Sequence, residues 1–279
     1  MVLKDDFMVF SGTANLPLAE KVANYLGRPL NKIDIQHFPD GETFCQVQEG
    51  VRGKDVFVIQ SGSPSPNDAY MELFIMMDAL RRGSAGRITV VLPYYGYARQ
   101  DRKDKPRVPI TARLVANLIT AAGADRVLTL DLHANQIQGF FNIPLDQLKA
   151  EPVILKYIRD QHWANPIVVA PDTGGAKTAY GYSRKLGCGL AIVAKQRTSG
   201  ETVDAFSVVG DVKGHDVIMI DDMTATGGTL SAAAKMCREN GANSVHAFVS
   251  HFPLTAKGQE RLMTEGQLDE LVVTDSIPL

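Results

Sequence analysis

Cysteine is scarce in this chain: Cys45, Cys188 and Cys237 are the only three among 279 residues. None belongs to a CxxC pair, and an odd count closes no disulfide framework. A disulfide-stapled fold is thereby excluded, and three isolated, buried or half-buried thiols are expected. Long apolar runs are missing too. None approaches the ~20 residues that cross a bilayer, and the opening Met1-Val-Leu-Lys-Asp-Asp6 lacks the apolar core of a secretory leader. Nor is there an excess of one charge: 29 Lys and Arg against 31 Asp and Glu leave a formal −2. A broad basic surface for nucleic acid is therefore not expected. Low-complexity segments are absent. These absences together point to a soluble, cytoplasmic protein with neither a nucleic-acid nor a membrane partner.

Apolar material is plentiful, at 45% of the residues, and the length suits two compact domains. Short β-branched runs recur at Val56–Ile59, Ile88–Leu92, Val127–Leu130, Ile167–Val169, Ala191–Val193 and Val217–Ile220. They are apolar throughout instead of alternating, as strands of parallel sheets covered on both faces are. Helical patterns lie between them, over Asn67–Arg82, Pro109–Ala122, Gly175–Leu186 and Gly228–Asn240, the last stopped by Gly241. Strand and helix alternate along the whole chain, which predicts an α/β fold of mainly parallel sheets flanked by helices. A break is expected at Pro144–Pro152, where neither strand nor helix is required. The expected domains are 1–148 and 149–279.

The sharpest local signal is Val217-Ile-Met-Ile-Asp-Asp-Met-Thr-Ala-Thr-Gly-Gly-Thr229. A buried strand delivers Asp221 and Asp222 at its C-terminal end, where open α/β sheets bind ligands. Small residues then open a helix, so that backbone N–H groups and the positive helix end can cradle a phosphate. The carboxylates suit ribose hydroxyls, directly or through Mg²⁺. A plain helix cap needs one Asp or Thr, whereas this stretch holds paired acids, Gly227-Gly228 and three threonines. Asp131-Leu-His-Ala-Asn-Gln-Ile-Gln-Gly-Phe-Phe-Asn-Ile-Pro-Leu-Asp146 and Pro93-Tyr-Tyr-Gly-Tyr-Ala-Arg-Gln-Asp-Arg102 also follow buried strands. In the first, the strand pleat would point Asp131 and His133 the same way. In the second, Arg99 can fork onto phosphate oxygens. Each has a bland reading as well: a structural histidine, and a solvated charged loop.

The loop 217–229 resembles the PRPP-binding loop shared by type I phosphoribosyltransferases and PRPP synthetases. The segment 131–146 matches over its full length the signature of the ribose-phosphate diphosphokinase (PRPP synthetase) family. The resemblance runs from about Phe38 to Pro278. It implies two tandem phosphoribosyltransferase-like domains and transfer of diphosphate from Mg²⁺–ATP to ribose 5-phosphate, giving PRPP and AMP. It further implies ATP contacts at Phe38, Asp40, Gly41 and Glu42, often reaching from a neighbouring subunit, and at Arg99, Gln100 and Asp101. Ribose 5-phosphate falls to Arg197, Asp221, Asp222, Ala225, Thr226, Gly227, Gly228 and Thr229. Asp131, His133 and Asp172 are the implied metal residues. Lys195, Arg197 and His133 are the implied catalytic ones, with Lys195 and Arg197 on a mobile loop that runs on through Thr198–Asp204. Homo-oligomers, dimers assembling into hexamers, are usual for such proteins. Members usually continue past this region with a segment that packs back on the first domain. Ala225 and Asn142 stand where many members have Asp. Two rival readings share the fold: a non-catalytic regulatory homologue, and a base phosphoribosyltransferase.

Overall fold

A computed structural model describes residues 7–197, 204–253, 255–264 and 267–278. The chain divides into two compact units, Met1–Leu148 together with Asp275–Leu279, and Lys149–Thr274.

The first unit is built on β1 (Phe7–Ser11), α1 (Leu16–Tyr25), β2 (Ile33–His37), β3 (Thr43–Val47), β4 (Asp55–Ile59), α2 (Pro66–Arg82), β5 (Arg87–Leu92), α3 (Thr111–Ala122), β6 (Arg126–Leu130) and β7 (Leu145–Leu148). Its main sheet has the order β1-β4-β5-β6-β7, and every pair in it is parallel. Val56, Val58, Val90, Leu92 and Val127 are fully buried, which explains why these strands read as unbroken apolar runs. Helix α3 buries Ala112, Val115, Ala116 and Ile119, the i, i+3, i+4, i+7 face of a helix. Gly123 ends it with φ 111°, a left-handed cap that suits glycine. Strands β2 and β3 form a separate antiparallel ribbon.

The second unit comprises α4 (Glu151–Asp160), β8 (Pro166–Ala170), α5 (Ala176–Leu186), β9 (Gly189–Arg197), β10 (Asp204–Val209), β11 (Asp216–Met223), α6 (Gly228–Glu239), β12 (Ser244–His251), α7 (Ala256–Thr264) and β13 (Glu270–Val273). Its sheet runs β10-β9-β8-β11-β12-β13 and is parallel except for the β10–β9 pair. Val169, Val217, Met219, Ala233, Ala247 and Val249 meet in one buried cluster between the sheet and α6.

Three expectations change. The units part within Pro144–Pro152, between Leu148 and Lys149, but the stretch is not structureless: β7 and the start of α4 fill it. Strand β7 is an edge strand whose Asp146 pairs with Arg126, so it lacks the apolar run that marks buried strands. Helix α3 begins at Thr111 instead of Pro109. The expected second domain, 149–279, differs at its end. Asp275–Leu279 belongs to the first unit, held by Asn15 Nδ2 donating to the Asp275 carbonyl at 2.8 Å and Ser61 Oγ donating to the Ser276 carbonyl at 2.8 Å. Ser276 and Ile277 are buried there. The three thiols are free, with Cys237 buried and the other two half-buried. Burial, then the charges of Glu72 and Asp34, push Cys45 up to about 11.

Candidate active site

In the first unit the candidate residues lie on three segments. The tip of the β2–β3 ribbon is a tight turn: Gly41, at φ 94°, donates its N–H to the Phe38 carbonyl at 2.8 Å, and the Glu42 N–H donates to Asp40 Oδ1 at 3.2 Å. Glycine meets that backbone without strain. The turn leaves Phe38 48% exposed, against Phe44, so a large ring is held out where an aromatic ligand can reach it. Asp40, Gly41 and Glu42 line an open hollow together with Asp68, Met71 and Ile75 of α2.

The second segment leaves β5 at Leu92 and is clasped from below. Gly62 and Gly96 approach so closely that a Cβ on Gly96 would sit 2.8 Å from the Gly62 carbonyl oxygen. Buried Tyr70 donates its hydroxyl to the Gly96 carbonyl at 3.2 Å and stacks on Tyr97, whose own hydroxyl bonds Asn67. Tyr97 has φ 63°, a strained setting for a residue with a side chain. Beyond it, Gln100 accepts from the Ala112 N–H at 3.1 Å through its carbonyl and from Thr111 Oγ1 at 2.5 Å through its amide oxygen. Arg99 and Gln100 are exposed, and Asp101 is half-buried.

The third segment leaves β6, which ends at Leu130. Asp131 takes φ 34°, so the strand pleat stops before it and cannot be what aligns Asp131 with His133. The Asp131 N–H donates to the Leu148 carbonyl at 3.0 Å. A 3-10 turn, Asn135–Phe140, follows and sinks Ile137 into the core. Gln136 Nε2 donates to Asp101 Oδ2 at 2.6 Å. That bond brings the second and third segments together.

In the second unit, β8 and β11 are parallel neighbours, and both deliver acids at their C-terminal ends. Asp172 Oδ1 accepts the Gly175 N–H at 3.0 Å, which closes the turn that leads into α5. Asp221 accepts the Asp222 N–H at 2.8 Å. Burial first, then the charge of Asp222, push Asp221 well above the usual carboxylate range, and Asp172 adds to the push. The three carboxyl groups thus lie near enough to influence one another. Gly227, at φ 69°, immediately precedes α6, and a Cβ on it would lie 2.7 Å from Leu262 Cγ of α7. Only glycine fits, for both reasons. Thr226 and Thr229 are exposed beside the helix start, while Thr224 is buried. The Ala225 carbonyl accepts the Thr255 N–H at 3.1 Å, so the backbone of this loop is tied to the residue before α7. Lys195 and Arg197 lie in β9, opposite Phe206 and Asp204. Their side chains, and residues 198–203 of the expected mobile loop, fall outside the described residues.

Residues 7–123 match the family described as the N-terminal domain of ribose phosphate pyrophosphokinase, and residues 145–273 match the phosphoribosyl transferase domain. The ribose-phosphate pyrophosphokinase of Campylobacter jejuni is 51% identical over 98% of this chain and 88% of its own length. The chain belongs to the ribose-phosphate pyrophosphokinase family. The Rhizobium meliloti pyrophosphokinase is 52% identical over 96% of this chain and 87% of its own. The crystal structure of phosphoribosylpyrophosphate synthetase from Mycobacterium smegmatis superposes with TM-score 0.91 at 43% identity, covering 98% of this chain and 90% of that one. Both units are therefore phosphoribosyltransferase-like, and the chain is an enzyme of this family. The readings as a regulatory homologue or a base phosphoribosyltransferase are not favoured.

Among the described residues, no group of three or more His, Cys, Asp and Glu side chains stands in metal-holding geometry. Asp131 and His133 belong to the first unit and Asp172 to the second. Among the described residues, no helix is long and apolar enough to cross a membrane. The roles of Tyr70 and Gln136 are not legible in the sequence. Gln136 stands inside the signature segment, but its partner is 35 positions away.

Proposed function

We propose the following ligand contacts for this pyrophosphokinase, taken unit by unit. The adenine and phosphates of ATP lie against Phe38, Asp40, Gly41 and Glu42 and against Arg99, Gln100 and Asp101. The 5-phosphate of ribose 5-phosphate lies on Ala225–Thr229, with Asp221 and Asp222 facing the ribose hydroxyls. The observation that carries the reading is the loop after β11. Gly227 holds a left-handed turn that no side chain could occupy, and α6 starts directly behind it. A helix N-terminus with small residues around it is a phosphate cradle.

The anomeric hydroxyl oxygen of the ribose attacks the β-phosphorus of ATP. It loses its proton, the bond from that phosphorus to the oxygen bridging the α-phosphate breaks, and AMP departs with the electron pair. The products are PRPP and AMP. Lys195 brings a point charge and Arg197 a planar fork to the developing negative charge. His133, exposed after β6, touches the phosphate in transfer.

Mg²⁺ fits the donor chemistry. It takes oxygen ligands, keeps several waters, and needs only one or two carboxylates beside substrate phosphates, so a closed protein cage is not required. Asp221, kept protonated by burial and by Asp222 and Asp172, is an acid whose ionisation a hard cation would favour. The proposed metal residues are Asp131 and His133 in the first unit and Asp172 in the second, each taken by itself. When bound, the ion would supply Lewis-acid neutralisation of phosphate charge. A homo-oligomer of dimers in the cytoplasm completes the proposal, and sedimentation velocity tests the assembly.

The reaction is tested by incubating the chain with Mg²⁺, ATP and ribose 5-phosphate and following AMP and PRPP together. Equal appearance of both, dependent on ribose 5-phosphate, is expected. AMP alone would mean hydrolysis. Neither product, from folded protein that binds ATP, would restore the regulatory reading.

A further inference from the structure

We propose that Gln136 is a positioning residue for ATP, acting through Asp101. The inference rests on the assignment of Arg99–Asp101 to ATP. Gln136 Nε2 lies 2.6 Å from Asp101 Oδ2, and only the amide NH₂ can donate to a carboxylate, so the direction of the bond is fixed by chemistry. Both ends are anchored independently. On one side, Ile137 is fully buried, the Ile137 N–H bonds the Ala134 carbonyl at 3.0 Å, and Arg113 of α3 donates to the Phe140 carbonyl. Gln136 therefore projects from a turn that cannot drift. On the other side, Gln100 is pinned to Thr111 and Ala112 at the start of α3, and Tyr97 is stacked on Tyr70. One helix, α3, thus sets the spacing of both segments, and the Gln136–Asp101 bond closes the remaining gap.

A neutral donor serves this purpose as a cation would not. It orients Asp101 through a charge-assisted bond, yet leaves its negative charge in place. Asp101 keeps its second oxygen for a ligand donor, and Arg99, two residues before it, keeps its guanidinium for phosphate. An acid in place of Gln136 would set two carboxylates against each other at an exposed site, which disfavours ionisation of the new acid.

The test is the affinity of the full-length chain for a non-hydrolysable ATP analogue with Mg²⁺, read by calorimetry between pH 6 and 8. The variants are Gln136→Glu and Gln136→Ala, with melting temperatures alongside. Gln136→Glu is expected to weaken the analogue about tenfold at pH 8, as loss of a hydrogen bond to a charged group does. It should recover towards wild type at pH 6, where a protonated Glu can donate as Gln does. Gln136→Ala should bind weakly without that recovery, and ribose 5-phosphate affinity should not move in either. Wild-type binding by Gln136→Glu at every pH would overturn the proposal. So would equal loss for both ligands accompanied by a lower melting temperature, which is the mark of a merely structural role. Because binding is read without turnover, a wild type that binds the analogue but makes no PRPP would refute the proposed reaction and leave the role of Gln136 standing.

Discussion

Strand β11 carries a carboxylate at each end. At its N-terminal end, Asp216 is buried and well supplied with donors: Asn243 Nδ2 at 2.7 Å, Ser244 Oγ at 2.8 Å and the Asn165 N–H at 3.4 Å. Burial would raise this acid, but the bonds from Asn243 and Ser244 win and hold it below its ordinary range. At the C-terminal end, Asp221 has one backbone donor, the Asp222 N–H, and faces two more acids, and burial and their charge win and raise it. The same strand thus ends in a finished carboxylate and an unfinished one. The finished one secures the fold. The unfinished one is where a cation or a sugar hydroxyl has something to complete, and it stands at the end where α/β sheets bind ligands.

The largest effect is expected at the ligand end and without loss of fold. Lys195→Ala should cut turnover by about 10²–10³, the cost of losing one transition-state charge contact, with ribose 5-phosphate binding and melting temperature little changed. Equal losses in kcat and in ribose 5-phosphate affinity would remove Lys195 from the transition state. At the opposite end, Asp216→Ala should do the reverse. Stripping a charged acceptor from Asn243 and Ser244 should cost about 2 kcal/mol of stability, measured by urea denaturation, with turnover per folded molecule retained. Because Asp216 is held low, its contribution is present above about pH 4 and lost as pH falls through its native value. A variant that melts like wild type at pH 7 would break the contrast.

Gly227→Ala probes the ligand end through its backbone. The left-handed φ and the approach to Leu262 should together cost about 1–2 kcal/mol and weaken ribose 5-phosphate selectively over ATP, which titration with each ligand would read. The smallest effect is the most diagnostic. Asp221→Asn should raise the melting temperature of the metal-free enzyme at pH 8 while lowering activity. An acid raised in the fold still holds a proton that the unfolded chain has released above about pH 4, so its ionisation subtracts stability as pH rises through the window up to its native value. The gain over wild type should therefore shrink towards pH 5 and shrink on adding Mg²⁺. A variant less stable than wild type at pH 8 would show that Asp221 is as finished as Asp216.

What the sequence made legible follows burial. Val56–Ile59, Ile88–Leu92 and Val217–Ile220 were readable because both sheet faces are covered and every position is apolar. Strands β2 and β3 were not, since they are a half-exposed ribbon with no fully buried position. Strand β12 hid behind His246, Ser250 and His251, polar residues inside an otherwise apolar run. In the candidate site, the glycine turn at Gly227 and the acids at Asp221 and Asp222 were legible because these residue types stand close together in the chain. The clasp of Gly62 on Gly96, the stacking of Tyr70 on Tyr97 and the reach of Gln136 to Asp101 join residues far apart in sequence. Pattern within a segment carries no trace of them. The strain at Asp131 is of the same kind: a backbone angle set by its connection to Leu148, at a residue whose type did not demand it.

The return of Asp275–Ile277 to Asn15 and Ser61 has a consequence for synthesis. A ribosome makes the first unit first, and domains generally fold in that order. Here the donors of Asn15 and Ser61, and the apolar seat of Ile277, are met only by residues made after the entire second unit. At ordinary elongation rates that is a wait on the order of ten seconds. The unit that is first to emerge is the last to be sealed, so a nascent chain stalled anywhere before Asp275 carries an open seam on its oldest domain.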